Sequence, residues 1–418
     1  MKINCSIYLG LEGVRGLKKL KIGLFVLIIL GTISLSLTYK NKNEVTKIKR
    51  KKQSNLAIMI KENGAEDYIK SSSKDIPKGN YVLNRDKSYC KNNGLIGDYD
   101  NTLGKVSFSF IGTDSCYLYF DYESGKSFET VFVANNNDIF YENGLRYEGA
   151  DPNNYICLDN KTSGTCSDSS LLFRIIGLFD EDTSTDGTNS SGTKKLLKVI
   201  DTNNYGGTSG KYWNSAGTNN WSTASLKTEL NVTYLTNLLG TSNVNSKLSS
   251  AIANAKWHLG GASSSNYQTL TAESIYTEER TTSSIYSGNP SSIYAKVGLM
   301  YPSDYGYATV GGSKTNRARC RVKELYNWND SSFSDCKNND WLYTSQSSFV
   351  NSGEWLLSTY SSDSNRAACL GLSGFVSLVG SSFVSNDQFA VRPTFYLDSS
   401  VLKIVEGTGT STNPYRIG

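Results

Sequence analysis

The pattern of apolar and polar positions divides the chain into stretches of different period. Residues 22–38, IGLFVLIILGTISLSLT, hold 17 positions without a charge, enough helix at about 1.5 Å per residue to cross most of a bilayer core of ~30 Å. This predicts one transmembrane helix, Ile22 to Thr38, behind a cytoplasmic tail of residues 1–21. A cleaved signal peptide is the rival reading, although no small-residue cleavage site follows the segment. Residues 39–78 have no sustained apolar period and read as a basic, polar linker. From residue 79 to 125 the period becomes two, in NYVLN, KVSFSFIG and CYLYFDY, with NNG, GDYDN and GTDS between them. Alternation with such turns predicts the strands of a small β-sandwich module.

Over residues 126–418 the period is mixed. LLFRIIGLFD reads as a buried strand. In TASLKTELNVTYLTNLL, Leu226, Leu230, Tyr234 and Leu238 recur every four positions after Ser222 or Thr223 as N-cap, which predicts a helix. Val244, Leu248 and Ile252 mark a second helical face, and many short apolar runs follow. The fold class expected is α+β, with few helices and many short strands.

Charge sharpens this division. Net charge is +5, yet residues 1–52 hold 12 basic against two acidic side chains, which leaves 31 against 36 beyond them, a balance of −5. A phosphate-tracking cleft is therefore not expected, and nucleic acid is excluded as a partner. Basic residues flank the apolar segment on both sides, so the positive-inside rule does not place the C-terminal part outside. The cysteines do: Cys90/Cys116, Cys157/Cys166 and Cys320/Cys336 form three short-range couples suited to disulfides in an oxidising compartment. Cys5 and Cys369 are left without mates. Zinc is not expected, because no CxxC occurs and the chain has one histidine.

Beyond residue 129 the strings GADPNNYICLDN, LLFRIIGLFD, LKTELN, KWHLGG, YTEER, KVGLMYPSDYGYAT, EWLLS, AVRPTFYLDSSVLKI and GTGTSTNPYRI together resemble a family of gut Firmicutes surface proteins. The WLLS and VRPTFYL strands are similar to the C-type-lectin-like fold of formylglycine-generating enzymes and retroelement-diversified binding proteins. The resemblance implies an extracellular, loop-displaying domain; with aromatic faces and uncharged polar loops beside it, binding or adhesion to a glycan or surface protein is expected in place of catalysis. A wall-acting glycosidase and a structural envelope protein are the alternatives.

Several constellations could carry chemistry. Trp328-Asn329-Asp330 before Cys336 resembles the WND segment with which calcium-dependent lectins hold calcium and sugar, but no EPN or QPD partner occurs upstream. These three residues are the expected ligand site, with calcium at Asn329 and Asp330 the one cofactor considered, against a disulfide-bounded loop whose Trp packs on the core. The acidic run Asp180–Asp182 with Asp186-Gly187 fails EF-hand order, since Ser184 and Thr193 fall at positions three and twelve counted from Asp182. It reads as a solvated insertion. His258 is expected as a structural residue at a helix end. Glu278, Glu279, Arg280 and Asp304 could supply the two carboxyls of a glycosidase, or pair among themselves. Arg392 is expected to anchor the final strands through a buried pair. Trp213, Trp221, Trp341 and Trp355 offer faces for sugar stacking, most of them in the core.

Overall fold

The computed structural model describes residues 55–62, 65–101, 103–109, 112–122, 125–134, 138–343, 353–377 and 383–418. The expected transmembrane segment and cytoplasmic tail lie outside them. Among the described residues no helix is long and apolar enough to cross a membrane. The chain divides into two compact units, one ending at Tyr122 and one running from Glu123 to Gly418.

The small unit is built from β1 (Asn55–Lys61), β2 (Ile69–Lys70), β3 (Tyr81–Leu83), β4 (Tyr89–Cys90), β5 (Leu95–Asp100), β6 (Lys105–Ser109) and β7 (Ser115–Tyr122). β7 is its spine. It pairs in parallel with β1 and antiparallel with β3 and β4, while β2 closes the outer edge of β1. The alternation in SCYLYFDY places Cys116, Leu118 and Phe120 inward. Leu118 and Phe120 meet Ile58 and Leu83 in a core of four fully buried side chains, with Ile96, Tyr99, Val106 and Phe108 of the β5–β6 hairpin packed against it. The second layer is thus a two-stranded hairpin. β1 corrects the linker reading, because NLAIMIK falls within residues 39–78 yet runs beside β7 for seven residues. Its apolar run was too short to stand out from its basic surroundings.

The large unit is mixed α+β and strand-rich, with no closed barrel. After α1 (Phe128–Ala134) come β8 (Ile139–Tyr141), β9 (Leu145–Tyr147), β10 (Tyr155–Cys157), β11 (Leu172–Thr183) and β12 (Gly192–Asp201). A helical run follows, made of α2 (Ser225–Glu229), a π-turn (Leu230–Tyr234) and α3 (Leu235–Leu239), and then the single turn α4 (Leu248–Ala251). The chain continues through β13 (Ala255–His258), α5 (Ala272–Arg280), β14 (Ser292–Ala295), β15 (Val297–Gly298), α6 (Pro302–Tyr307), α7 (Arg317–Arg321) and α8 (Ser334–Asn338). It ends with β16 (Glu354–Thr359), β17 (Ala367–Leu370), β18 (Val376–Ser377), β19 (Thr394–Asp398), β20 (Ile404–Glu406) and β21 (Tyr415–Ile417).

β11 and β12 form the centre of an eleven-stranded sheet ordered β15-β19-β12-β11-β10-β21-β20. One edge of β11 is paired along its length with β12; the other is shared in succession by β10, β9 and β13. Both strands are covered on both faces, which is why Phe173 to Phe179 and Leu196 to Ile200 read as near-continuous apolar runs. β16, β17 and β18 make a separate antiparallel sheet whose EWLLST strand is wholly buried.

The expected helix forms with Leu226, Leu230, Tyr234 and Leu238 all buried. Its start is displaced. Ser222 and Thr223 belong to a 3-10 turn capped by Asn220, and α2 begins at Ser225 behind Ala224. Val244, Leu248 and Ile252 support one helical turn only. His258 lies at the end of strand β13, not of a helix, because Ala255 and Trp257 alternate inward against β14.

Candidate functional site

All three cysteine couples are disulfides: Cys90–Cys116, Cys157–Cys166 and Cys320–Cys336. Cys90 and Cys116 stand opposite each other on β4 and β7. Asp114 and Asp159 approach two of these bridges closely enough to suggest metal clusters. Sulfurs committed to disulfides are not thiolate ligands, and Asp159 is already paired at 2.5 Å with the fully buried Arg416. Cys369 is a free, buried thiol whose pKa is pushed up to about 12 by desolvation.

In Trp328-Asn329-Asp330 the ring is withdrawn from solvent and the carboxylate is engaged locally. Trp328 is 0% exposed, packed against Tyr305 with ring centroids 5.0 Å apart. Asp330 is exposed and caps the following 3-10 turn, accepting from the Ser332 amide at 2.9 Å and hydroxyl at 2.7 Å. Its oxygen serves the turn inside the Cys320–Cys336 loop, and among the described residues no group of three His, Cys, Asp or Glu side chains gathers around it. The Trp faces are likewise withdrawn: Trp213, Trp221, Trp341 and Trp355 are each at most 3% exposed.

The paired-carboxylate candidates are engaged within the fold. Asp304 at the start of α6 accepts from Arg146 at 3.1 Å, Lys198 at 2.5 Å and the Tyr301 amide at 2.9 Å. Burial alone would raise its carboxyl, but Lys198 and Arg146 hold it below the usual range. Glu279 is 0% exposed and accepts from the amide and hydroxyl of Ser303, at 2.9 and 2.5 Å, and from Arg280 at 3.2 Å. Burial outweighs these partners and pushes it up to about 7. Glu278 is engaged by Asn266 and Ser284. His258 is driven down to about 4, first by burial and then by Arg280 and Lys256. Asp186 lies in the β11–β12 hairpin loop, where it accepts from the Thr188 and Asn189 amides. Arg392 forms a buried two-pronged pair with Glu354, at 2.8 and 2.9 Å.

The cleft best suited to a ligand lies elsewhere. It is a half-open cavity of about 290 Å³ bounded by Ser169 and Ser170, the end of β12 with Asn203 to Tyr205, and the helical run at Tyr234, Asn237, Leu238 and Thr241. At its wall stands Asp201, only 5% exposed. Asp201 closes β12, and the chain turns sharply after it because Oδ1 accepts from the Asn203 amide at 2.8 Å. Its Oδ2 accepts from the Tyr234 hydroxyl at 2.8 Å. Tyr234 is delivered by the π-turn, a helical irregularity that recurs at functional sites. The Tyr205 ring meets the Tyr234 ring edge-on at 5.4 Å, and its hydroxyl donates to Glu229 at 3.0 Å. Desolvation, only partly offset by these hydrogen bonds, pushes Asp201 up to about 6.

A wider depression of about 410 Å³ in the small unit is polar; its Asp121 accepts from Tyr68 at 2.5 Å and Asn84 at 2.8 Å. Asp201, Asn203, Tyr205 and Tyr234 were not legible as a group. The one signal was a carboxylate ending the apolar run LLKVID, followed by a polar NN. No family model, curated protein or solved structure matches the chain.

Proposed function

We propose that this is a membrane-tethered binding protein of the cell exterior, whose large, lectin-like unit takes up a carbohydrate in the cleft at Asp201. The cleft carries the reading. Tyr205, Tyr234 and Leu238 offer an apolar wall and ring edges, while Ser170, Asn203, Asn204 and Thr241 bring uncharged hydrogen-bonding groups to the same rim. That mixture suits a hydroxyl-rich ring better than a fatty or strongly anionic ligand. Its lining holds a single carboxylate, whereas glycoside hydrolysis calls on two flanking the scissile bond. Three disulfides favour an oxidising compartment, and residues 22–38 supply the tether.

A glycan array probed with the detergent-solubilised full chain tests this. Specific hits abolished by Thr241→Trp, which fills the cleft from its rim, are expected. A blank array, hits indifferent to that substitution, or release of free sugar would overturn it.

A further inference from the structure

The charge balance around the cleft is incomplete. Glu229, the neighbouring acid, is neutralised by Lys211 and by the Tyr205 hydroxyl. Arg392 is committed to Glu354. Asp304, Asp159 and Asp398 each have a Lys or Arg partner. Asp201 is buried like them, yet among the described residues no lysine or arginine pairs with it. A desolvated carboxylate with only neutral donors is costly to keep ionised. Its acceptor capacity is also unfilled. A carboxylate offers about four lone-pair sites; the Asn203 amide and side chain occupy two on Oδ1, at 2.8 and 3.2 Å, and Tyr234 occupies one on Oδ2. One site on Oδ2 remains, and Asp201 is among the residues that line the cavity.

We infer that this cleft is selective for an amino sugar with a free ammonium group, which Asp201 receives as a charged donor while the ring lies against Leu238, Tyr205 and Tyr234. The inference rests on the carbohydrate reading above and names its ligand class. An N⁺–H donor to a carboxylate is roughly twice as strong as a neutral one, and stronger still where water is displaced. A cavity of about 290 Å³ is at the lower end for small-molecule sites, which limits the occupant to about one ring. The groups facing Asp201 are Tyr234 from the helical run, Asn203 from the turn and, at longer range, Arg392. Burial and the neighbouring Asp201 hold the Tyr234 hydroxyl well above its ordinary value, and the ligand's own ammonium gives up its proton only on the alkaline side, at about 7.7–8.0 for a comparable amine, so a fall in affinity on the acid side belongs to the carboxylate.

Titration calorimetry on the full chain in detergent, with glucosamine, glucose, N-acetylglucosamine and ethanolamine as probes, decides the matter. Glucosamine is expected to bind at least tenfold more tightly than the other three, with affinity falling as pH is lowered through about 6 because Asp201 takes up a proton. Asp201→Asn should reduce glucosamine to the level of glucose. The comparison of probes on the unsubstituted protein stands even where Asp201→Asn fails to fold. Equal binding of glucose and glucosamine would overturn the ammonium inference and leave the carbohydrate reading intact. Ethanolamine binding as tightly as glucosamine would overturn the choice of a sugar. No binding by any probe would overturn the inference, and a blank array beside it would remove the carbohydrate reading as well.

Discussion

Trp328 and Asp330 show how two neighbouring residues in one motif can be separated by burial. Trp328 is enclosed by Tyr305 and the disulfide-bounded loop, so Trp328→Ala leaves a large void and should cost about 3–5 kcal/mol in denaturant unfolding. Asp330 faces solvent and touches one turn, so Asp330→Ala should move the midpoint only slightly. Calcium should shift neither melting curve, since among the described residues no group of three His, Cys, Asp or Glu side chains gathers at Asp330. The buried pair of Arg392 and Glu354 behaves differently from both. Glu354→Ala strands a guanidinium whose remaining acceptor is the Leu342 carbonyl at 2.7 Å, and a loss of about 3–5 kcal/mol follows from an uncompensated buried charge.

Among the elements, α5 and α6 meet through a carboxyl that favours its protonated form. Glu279 ends α5 and holds Ser303 in the first turn of α6. Its folded pKa of about 7 lies above the unfolded value, so the contribution it makes is complete at acid pH and is lost as pH rises towards 7. His258 has the opposite sign: held down to about 4, it costs stability as pH falls below its unfolded value. The two windows overlap and largely offset each other, so Glu279→Gln should remove the opposing contribution and leave stability rising with pH between about pH 4.5 and 7, by on the order of 2–3 kcal/mol, under His258 alone. Chemical denaturation at several pH values reads both contributions. These elements also mark what could be read in advance. The buried face Leu226, Leu230, Tyr234 and Leu238 was legible because a period of four survives a π-turn. The strand at His258 was not, because KWHLGG has too few residues to show alternation and its Gly-Gly imitates a helix stop. Asp201 was invisible as a site for a further reason: its neighbours arrive from β12, from the following turn and from a helix more than thirty residues on, and only pairing of the sheet with that helix assembles them.

At the scale of the whole molecule the two units differ in what holds them. The large unit buries one continuous core from Phe128 to Ile417, with two disulfides built into it through the buried Cys157, Cys320 and Cys336. Among the described residues the core of the small unit has four buried side chains, so its apolar burial is slight and the bridge between β4 and β7 carries a larger share of its stability. Closing a loop with a sequence separation of 26 residues restricts the unfolded chain by roughly 3–4 kcal/mol in the chain-entropy picture, comparable to what so small a core supplies by itself. Calorimetry of the full chain should accordingly resolve two transitions under oxidising conditions. Paired replacement of Cys90 and Cys116 by Ser should lower or abolish the weaker one and leave the stronger in place. Replacing Cys320 and Cys336 should instead lower the stronger transition without removing it, because Trp328, Tyr305 and Leu325 keep that loop seated on the core. A single transition that shifts equally with either replacement would mean that the two units unfold as one.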